Sequence, residues 1–298
     1  GDNNRARHAG VVDLKVADVM SSPVMAITPT DPVARAKNLM LRYRVKRLVV
    51  IDRGKPIGVV SMRDLAERLG RGTSTWRHRP IDHIPVARVM RRGLVSVAPR
   101  TDLGKAAELM LRHWISSLIV VDGKGLAGIV TKTDLTRYFA EQLGGRTKVR
   151  ELMSTDIVTV NRMHSLAHVV ELMGKHGISR VVVADGKKPI GIITESDVAL
   201  AQLEKPARGI RQRRVRYTRK AERADRPRYR YVKYVALLTA EDVMKPGLLT
   251  IGGEEDVARA ASLMLEHGIS GLPVVEDEKL VGILTKTDLA KGIAKLGV

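Results

Sequence analysis

The chain has 298 residues, of which 44% are hydrophobic, and this is enough for two compact domains with sizeable cores. It contains no cysteine, which excludes disulfides, thiol catalysis and thiolate metal sites. No apolar run approaches the roughly 18 residues of a membrane span, and no leader-like segment opens the sequence, so we expect a cytoplasmic protein. The formal net charge of +20 at pH 7 favours a polyanionic partner.

The first 15 residues show no sustained apolar period and include Arg5 and Arg7. We expect residues 1–15 to form a basic arm that is mobile or is ordered only by a partner.

The first folded unit is predicted over residues 16–69. Apolar residues recur at helical spacing from Val33 to Met40. Two apolar runs, Leu48–Ile51 and Ile57–Val60, flank a turn and are predicted strands. With a short apolar segment before the first helix and a second helix after the strands, the unit has the order β-α-β-β-α.

Three landmarks show that this unit is repeated. Each copy has an opening Met, a Gly 38 residues after it and an Asp 44 residues after it. The opening methionines are Met20, Met90, Met153 and Met244, and the glycines are Gly58, Gly128, Gly191 and Gly282. The aspartates are Asp64, Asp134, Asp197 and Asp288. Chance does not hold three landmarks in register four times, so this is a four-repeat protein, with the later repeats at 85–140, 147–202 and 237–298.

The connection between repeats three and four carries an insertion, predicted over residues 203–236. From the Asp to the next opening Met the spacing is 26, 19 and then 47 residues. Residues 205–234 hold 13 Lys or Arg against Glu222 and Asp225, and four of the six tyrosines. The insertion therefore carries more than half of the net charge of the chain.

Alternation in the insertion predicts a basic β-hairpin. The segment Arg228–Val235 alternates like a strand, Arg214–Arg219 does so more loosely, and Ala221–Pro227 is the predicted turn. Such a ribbon presents Arg to phosphates and Tyr to bases, so we expect RNA, ahead of DNA, as its partner. The candidate RNA-binding residues are Arg208, Arg211, Arg213, Arg214, Arg216, Tyr217, Arg219, Lys220, Arg223, Arg226, Arg228, Tyr229, Arg230, Tyr231 and Lys233. A solvated charged linker is the alternative, but a linker needs neither a single sign of charge nor interleaved aromatics.

Every repeat ends in the pattern Gly-h-h-(Ser/Thr)-x-x-Asp, where h is aliphatic, and this strand-strand-helix unit resembles the CBS domain, named after cystathionine β-synthase. The resemblance covers all four repeats. It implies an α/β fold in which two repeats pair into a module, here residues 16–145 and 146–298, and two modules form a flat disc that carries the basic hairpin. It also implies a regulatory protein that binds AMP, ADP, ATP or S-adenosylmethionine in its clefts, with no obligatory cofactor, and stacked discs make a homodimer one expected form.

The resemblance also implies which residues contact the ligand. The motif Asp takes ribose hydroxyls, because a carboxylate accepts both hydrogen bonds of a vicinal diol, and the preceding hydroxyl residue approaches phosphate near a helix N-terminus. Carried onto this sequence, the candidates are Asp64, Asp134, Asp197, Asp288, Ser61, Thr131, Thr194 and Thr285, with Lys46, Arg47 and Arg180 as basic groups for phosphate. An alternative stays open, because an Asp just before a helix is also a good N-cap.

The four clefts are not expected to be equivalent. Repeats two and four have Ser116–Ser117 and Ser270–Gly271 where repeats one and three each carry at least one basic residue. Some clefts are therefore expected to stay empty.

No motif of a catalytic site is found, whether nucleophile elbow, Walker loop or zinc-binding helix, and repeats fill the chain, so we expect no enzymatic activity and no metal site. The leading hypothesis is a protein that docks on RNA, above all the ribosome, since the chain is similar in plan to archaeal CBS-repeat proteins that act as dormancy factors on idle ribosomes. The alternatives are a free-standing sensor of adenine nucleotides or S-adenosylmethionine that regulates a protein partner and, less favoured, a DNA-binding regulator.

Overall fold

A computed structural model describes residues 14–65, 83–204, 210–217, 228–235, 238–245 and 247–296. This part of the chain contains four three-stranded sheets, one for each repeat, and one two-stranded sheet. In each repeat sheet a short first strand runs parallel to the second strand, and the third runs antiparallel to it. The predicted β-α-β-β-α order and the α/β class are confirmed.

The strands are β1 Ala26–Ile27, β2 Arg47–Asp52, β3 Lys55–Ser61, β4 Ser96–Val97, β5 Ser117–Asp122, β6 Gly125–Thr131, β7 Thr159–Val160, β8 Arg180–Asp185, β9 Lys188–Thr194, β10 Ile210–Tyr217, β11 Arg228–Val235, β12 Ile251–Gly252, β13 Gly271–Glu276 and β14 Lys279–Thr285. The helices are α1 Val16–Val19, α2 Val33–Arg42, α3 Leu103–Arg112, α4 Lys132–Gln142, α5 Val149–Leu152, α6 Leu166–His176, α7 Glu195–Glu204, α8 Ala240–Val243, α9 Val257–Glu266 and α10 Lys286–Leu296. Residues 62–65 are also helical. No helix in the described ranges is long and apolar enough to cross a membrane.

Tight turns join the second and third strands of the repeats. In repeat one, Arg53 and Gly54 have φ of 49° and 77°, and in repeat four Asp277 and Glu278 have φ of 47° and 62°. Two consecutive residues with positive φ give a turn whose twist matches that of the flanking strands. In repeats one and four the turn therefore fits the twist of the hairpin that it closes.

The opening Met of one repeat meets the motif Gly of its partner repeat. A Cβ placed on Gly128 would lie 2.7 Å from Sδ of Met20, and one on Gly191 would lie 2.6 Å from Sδ of Met244. The same contact joins Met90 to Gly58 and Met153 to Gly282. The missing side chain of the Gly leaves room for the Met, so both landmarks belong to one packing contact within a repeat pair.

Repeats pair through their sheets, and the two pairs join through helices. Val49, Ile119 and Ile129 pack together between repeats one and two. Between the pairs, α4 packs on α9 and α3 on α10. A continuous core that includes Phe139 and Met264 spans repeats two and four, while repeats one and three have cores of their own.

Leu14 and Lys15, the last residues of the predicted mobile N-terminal arm, are instead fixed by contacts with the folded repeats. The Leu14 carbonyl accepts a hydrogen bond from the Leu103 N–H at 2.9 Å, and Lys15 Nζ lies 2.5 Å from Asp102 Oδ1. These contacts hold both residues against repeat two. Residues 1–13 of the predicted arm lie outside the described residues.

The insertion contains the predicted β-hairpin. Strands β10 and β11 pair antiparallel, from Ile210 opposite Val235 to Tyr217 opposite Arg228. The first strand begins at residue 210 rather than at 214, because its partner strand is long enough to pair with four more residues. The predicted turn, 221–227, lies outside the described residues.

Candidate ligand-binding site

Between the repeats lies a cavity of about 820 Å³, lined by residues of all four repeats, which we name the central cavity. Five cationic side chains on its wall interact with one another electrostatically. The five are Lys46, Arg47, Lys132, Arg180 and Lys286. The structure thus brings the three basic residues predicted to meet phosphate into one cavity, together with Lys132 and Lys286. Further cations and four carboxylates also line this cavity: Arg63, Arg91, Arg92, Lys291, Asp64, Asp156, Glu195 and Asp288.

The two added cations, Lys132 and Lys286, are the residues that sequence reasoning missed. Each directly follows the motif Thr of its repeat, and repeats one and three have no Lys at that position. Lys132 Nζ donates to Thr287 Oγ1, and Lys286 Nζ donates to Thr133 Oγ1, both at 3.0 Å. The sequence does contain a signal for them: the residue after the motif Ser or Thr is Lys in repeats two and four but not in repeats one and three.

Burial, and after it the neighbouring positive charges, lower the pKa of each lysine. Lys286 is 8% exposed, and burial, with repulsion from Lys46, Arg180 and Arg47, lowers its pKa to about 7. Burial and neighbouring cations also lower the pKa of Lys132 and of Lys46 to about 8. Of the three lysines, Lys286 is buried, Lys132 is half-buried and Lys46 is exposed at the wall of the cavity. An anion in the cavity would stabilise the protonated form of all three.

The two arginines keep their charge at neutral pH. Burial lowers the pKa of Arg47 and of Arg180 to about 10. Arg180 donates to the Ser270 carbonyl and, at 3.0 Å, to the Ser179 hydroxyl. A Cβ on Gly271 would clash with the Arg180 guanidinium. The Ser-Gly pair of repeat four, which the sequence shows in place of a basic residue, therefore makes room for the Arg of repeat three.

The motif Asp and the preceding hydroxyl residue form the same hydrogen-bonded box in each repeat. Thr131 is the N-cap of α4, and its Oγ1 accepts from the N–H groups of Thr133 and Asp134. Asp134 Oδ2 accepts from the Thr131 N–H at 2.8 Å and from its hydroxyl at 2.7 Å. Equivalent pairs are Ser61–Asp64, Thr194–Asp197 and Thr285–Asp288. The alternative in which the Asp itself is the N-cap is corrected, because the Ser or Thr caps the helix and the Asp lies three residues later.

The second carboxylate oxygen of the Asp, Oδ1, takes no part in the box and faces the paired repeat. Each Asp therefore marks a cleft between paired repeats, and we number the four clefts by the repeat that supplies the Asp. In clefts 1 and 3 this oxygen meets a cation that follows the partner's opening Met. Arg91 pairs with Asp64 in cleft 1, and Lys245 Nζ lies 3.0 Å from Asp197 Oδ1 in cleft 3. A ribose must therefore displace a cation to reach either carboxylate.

Clefts 2 and 4 have a hydroxyl where the others have that cation. The Ser21 hydroxyl donates to Asp134 Oδ1 at 3.4 Å, and the Ser154 hydroxyl donates to Asp288 Oδ1 at 3.2 Å. A cation one turn along the helix of the Asp also contacts the same oxygen. The pairing of repeats thus produces two kinds of cleft in alternation.

The clefts also differ in the space that they face. Asp64 and Asp288 line the central cavity. Asp134 lines a separate pocket of about 380 Å³, together with Arg137. A ligand held by Asp64 or Asp288 would share the central cavity, whereas one held by Asp134 would lie elsewhere.

The hairpin carries ten of the predicted RNA-binding residues. These are Arg211, Arg213, Arg214, Arg216 and Tyr217 in β10, and Arg228, Tyr229, Arg230, Tyr231 and Lys233 in β11. The register places Arg214 opposite Tyr231 and Arg216 opposite Tyr229. Arg208, Arg219, Lys220, Arg223 and Arg226 lie outside the described residues.

A family model described as the CBS domain matches residues 16–71, 86–141, 149–204 and 240–295. CBS domains are in general regulatory rather than catalytic. Among solved structures, the crystal structure of protein MJ1225 from Methanocaldococcus jannaschii aligns with a TM-score of 0.75 at 19% identity, over 94% of this chain and 100% of that chain. It shows the same fold.

Two relatives are similar over nearly the whole chain. Protein MJ1404 of Methanocaldococcus jannaschii is 28% identical over 286 residues, which cover 94% of this chain and 62% of that protein. A 33.4 kDa protein in a ribosomal RNA operon of Thermofilum pendens is 29% identical over 281 residues, which cover 90% of this chain and 87% of that protein. With the family model matched by every repeat, this chain belongs to the CBS domain family.

Proposed function

We propose that this protein is a non-catalytic regulator that docks on RNA through the β10–β11 hairpin and responds to an adenine nucleotide bound among its repeats. The main support for nucleotide binding is that five cationic side chains converge on the central cavity. Such a group is stabilised by a polyanion, because each bound phosphate oxygen relieves the mutual repulsion of the lysines.

The charge of the cavity also selects among the ligands that the family resemblance implies. AMP, ADP and ATP carry phosphates that offset the lowered pKa of Lys46, Lys132 and Lys286. S-adenosylmethionine has no phosphate and carries a net positive charge, so it relieves the repulsion among these cations less than a nucleotide does. We therefore favour nucleotides, with the motif aspartates and Lys46, Arg47 and Arg180 as contacts and with Lys132 and Lys286 added.

The hairpin favours RNA as the partner. Its two strands hold seven Lys or Arg and no Asp or Glu, with four tyrosines among them. Cations supply salt-dependent phosphate binding, and aromatic rings stack on unpaired bases. The Thermofilum pendens relative lies in a ribosomal RNA operon, which supports the ribosome as the RNA target and the cytoplasm as the place of action. A dormancy-type inhibitor of translation is the role that we propose.

Co-sedimentation with ribosomes of the source organism tests this function. We expect the protein to pellet with ribosomes at low salt, to be released at high salt, and to respond to AMP or ATP. A variant lacking residues 205–233 should stay in the supernatant while retaining AMP binding in calorimetry. A wild-type chain that stays in the supernatant at low salt would overturn the docking proposal and leave the alternative, a nucleotide sensor acting on a protein partner.

A further inference from the structure

Helices α2, α3, α6 and α9, one in each repeat, end in the same kind of cap, which requires a residue in the left-handed conformation. In α3 the Ile115 N–H donates to the Met110 carbonyl at 3.0 Å, and Trp114, just before Ile115, has φ of 54°. The matching positions of repeats three and four hold Gly177 and Gly268, with φ of 62° and 63°. Glycine adopts this conformation without steric cost, whereas a residue with a Cβ is strained there. Repeat two therefore carries a tryptophan where the backbone favours glycine.

The Trp114 side chain contributes little to the packing of the chain. It exposes 85% of its surface, although tryptophan is a residue that stabilises a protein chiefly by burying its large apolar ring. Neither the backbone conformation nor the side chain of this residue thus favours the folded state. Strained residues concentrate at ligand and partner sites, and tryptophan is enriched among the residues that dominate binding energies. We therefore expect a partner to cover the indole ring.

The surroundings of Trp114 carry positive charge. Arg112, the last residue of α3, is exposed two residues before it. Arg92 is exposed as well and lines the central cavity together with Trp114. We name Arg92, Arg112 and Trp114 the Trp114 patch. An aromatic ring among cations is the arrangement that binds single-stranded nucleic acid, because the ring stacks on a base and the cations meet phosphates.

Repeat one has a similar corner at the end of α2. Arg44 occupies the left-handed position with φ of 53°, and Tyr43 before it is 49% exposed. The Arg42 guanidinium carbon lies 5.6 Å from the centroid of the Tyr43 ring. Both corners of the first repeat pair thus combine Tyr or Trp with arginine, whereas both corners of the second pair have glycine at the left-handed position. The pair without the hairpin insertion is the one that carries these residues.

We infer that the Trp114 patch is a second RNA-binding surface, which stacks an unpaired base on the indole ring and holds the adjacent phosphates through Arg92 and Arg112. This inference rests on the proposed function and adds a contact on the first repeat pair to the hairpin of the second pair. Two contacts on one RNA bind more tightly than either one alone, because the second contact forms within a complex that the first has already made.

The test uses oligouridylate, which contains no adenine, so that an adenine-nucleotide cleft does not contribute to its binding. The chain has two tryptophans, and in a Trp76→Phe variant of the whole chain Trp114 is the only one left. Its fluorescence should be quenched as oligouridylate is added, because a base stacks on the indole. With fluorescein-labelled oligouridylate, Trp114→Leu should raise the Kd by about fivefold to a hundredfold, whereas Trp114→Phe should retain most of the affinity.

Thermal stability and two controls separate RNA binding from other roles of Trp114. Trp114→Gly removes the ring and the backbone strain together, so its RNA affinity should fall while its melting temperature does not. Met163→Ala is the matched control, because Met163 is an apolar residue of repeat three that is 69% exposed, and it should bind oligouridylate like the wild type. The AMP Kd of Trp114→Leu should equal that of the wild type.

Three results would overturn the inference. Wild-type RNA affinity in Trp114→Leu, with weakened binding in the hairpin variant Arg214→Ala, would leave RNA docking to the hairpin alone. A loss of AMP affinity in Trp114→Leu without a loss of RNA affinity would assign the ring to the nucleotide. A lowered melting temperature of Trp114→Gly would make the residue structural. A wild type that neither binds oligouridylate nor pellets with ribosomes would refute the docking function as well.

Discussion

Lys132 of repeat two donates a hydrogen bond to Thr287 of repeat four at 3.0 Å, across the boundary between the two repeat pairs. Lys286 returns the same contact to Thr133 at 3.0 Å. The two lysines thereby lie on the wall of one cavity although 154 residues separate them in the sequence. Like charges held in this way raise the free energy of the unliganded protein and prepare the site for an anion.

Replacing Lys286 by Met is expected to weaken ATP binding and to stabilise the unliganded protein. A lost charge-assisted contact corresponds to about 1.5–3 kcal/mol, so the ATP Kd should rise by about tenfold or more. The melting temperature without ligand should rise, because a cation with a pKa lowered to about 7 is removed from the group. Lys105→Met is the control, since Lys105 pairs on the surface with Glu108 at 2.8 Å. Equal loss of ATP binding in both variants would contradict the role of Lys286.

Nucleotide affinity is expected to fall as the pH rises from 7 to 9. In the free protein the pKa of Lys286 is about 7 and that of Lys132 and Lys46 about 8. A phosphate favours their protonated forms, so binding takes up protons in this pH range. The second pKa of a phosphate monoester is near 6, so AMP itself does not titrate there. Calorimetry in two buffers of different ionisation enthalpy measures the uptake, and a value of zero at pH 8 would refute the charge coupling.

The free energy of unfolding of the unliganded protein is expected to gain a rising contribution between about pH 7 and pH 10. The folded-state pKa of Lys286 is about 7, whereas the ordinary pKa of a lysine is 10.5. The unfolded chain therefore binds more protons than the folded chain in this window, and stability increases with pH. Denaturant unfolding at several pH values, compared between the wild type and Lys286→Met, isolates this contribution. An identical pH slope in the two proteins would argue against it.

Gly191→Ala is expected to destabilise the protein. The added Cβ would lie 2.6 Å from Sδ of Met244, and overpacking of this kind costs about 1–3 kcal/mol. Gly174→Ala is the matched control, because a Cβ there meets nothing within 4 Å and Ala is favoured over Gly in a helix by about 1 kcal/mol. Opposite shifts of the denaturation midpoint are expected. Destabilisation by both changes would mean that backbone effects, rather than the Met contact, decide the result.

Salt titrations of RNA binding are expected to distinguish the role of the arginines from that of the tyrosines in the hairpin. Replacing Arg214 by Ala should lower the slope of log Kobs against log salt by about one for RNA, since one phosphate contact is lost. Tyr229→Ala should leave the slope unchanged and weaken binding by about 1–3 kcal/mol for a stacked base. Slopes and affinities that match the wild type in both variants would assign RNA binding to another surface.

The clefts illustrate where sequence reasoning stops. The motif placed Ser or Thr three residues before an Asp at a helix start, and both a ligand role and a capping role were consistent with that spacing. In the structure the two oxygens of the carboxylate have different partners: Oδ2 accepts hydrogen bonds in the helix cap, and Oδ1 faces the paired repeat. Which group meets Oδ1 depends on the repeat that packs opposite, and local spacing does not contain that information.

What the sequence determined by itself was the number of repeats, their strand and helix order and the basic hairpin. Each of these rests on patterns within a few tens of residues: the spacing of Met, Gly and Asp, apolar periodicity, and alternation of Arg with Tyr. Only the tertiary structure decided that five cations from different repeats line one cavity, that the opening Met packs on the Gly of the partner repeat, and that Lys245 lies on Asp197. The physical reason is that burial and electrostatic repulsion depend on long-range packing, which brings together side chains that are far apart in the chain.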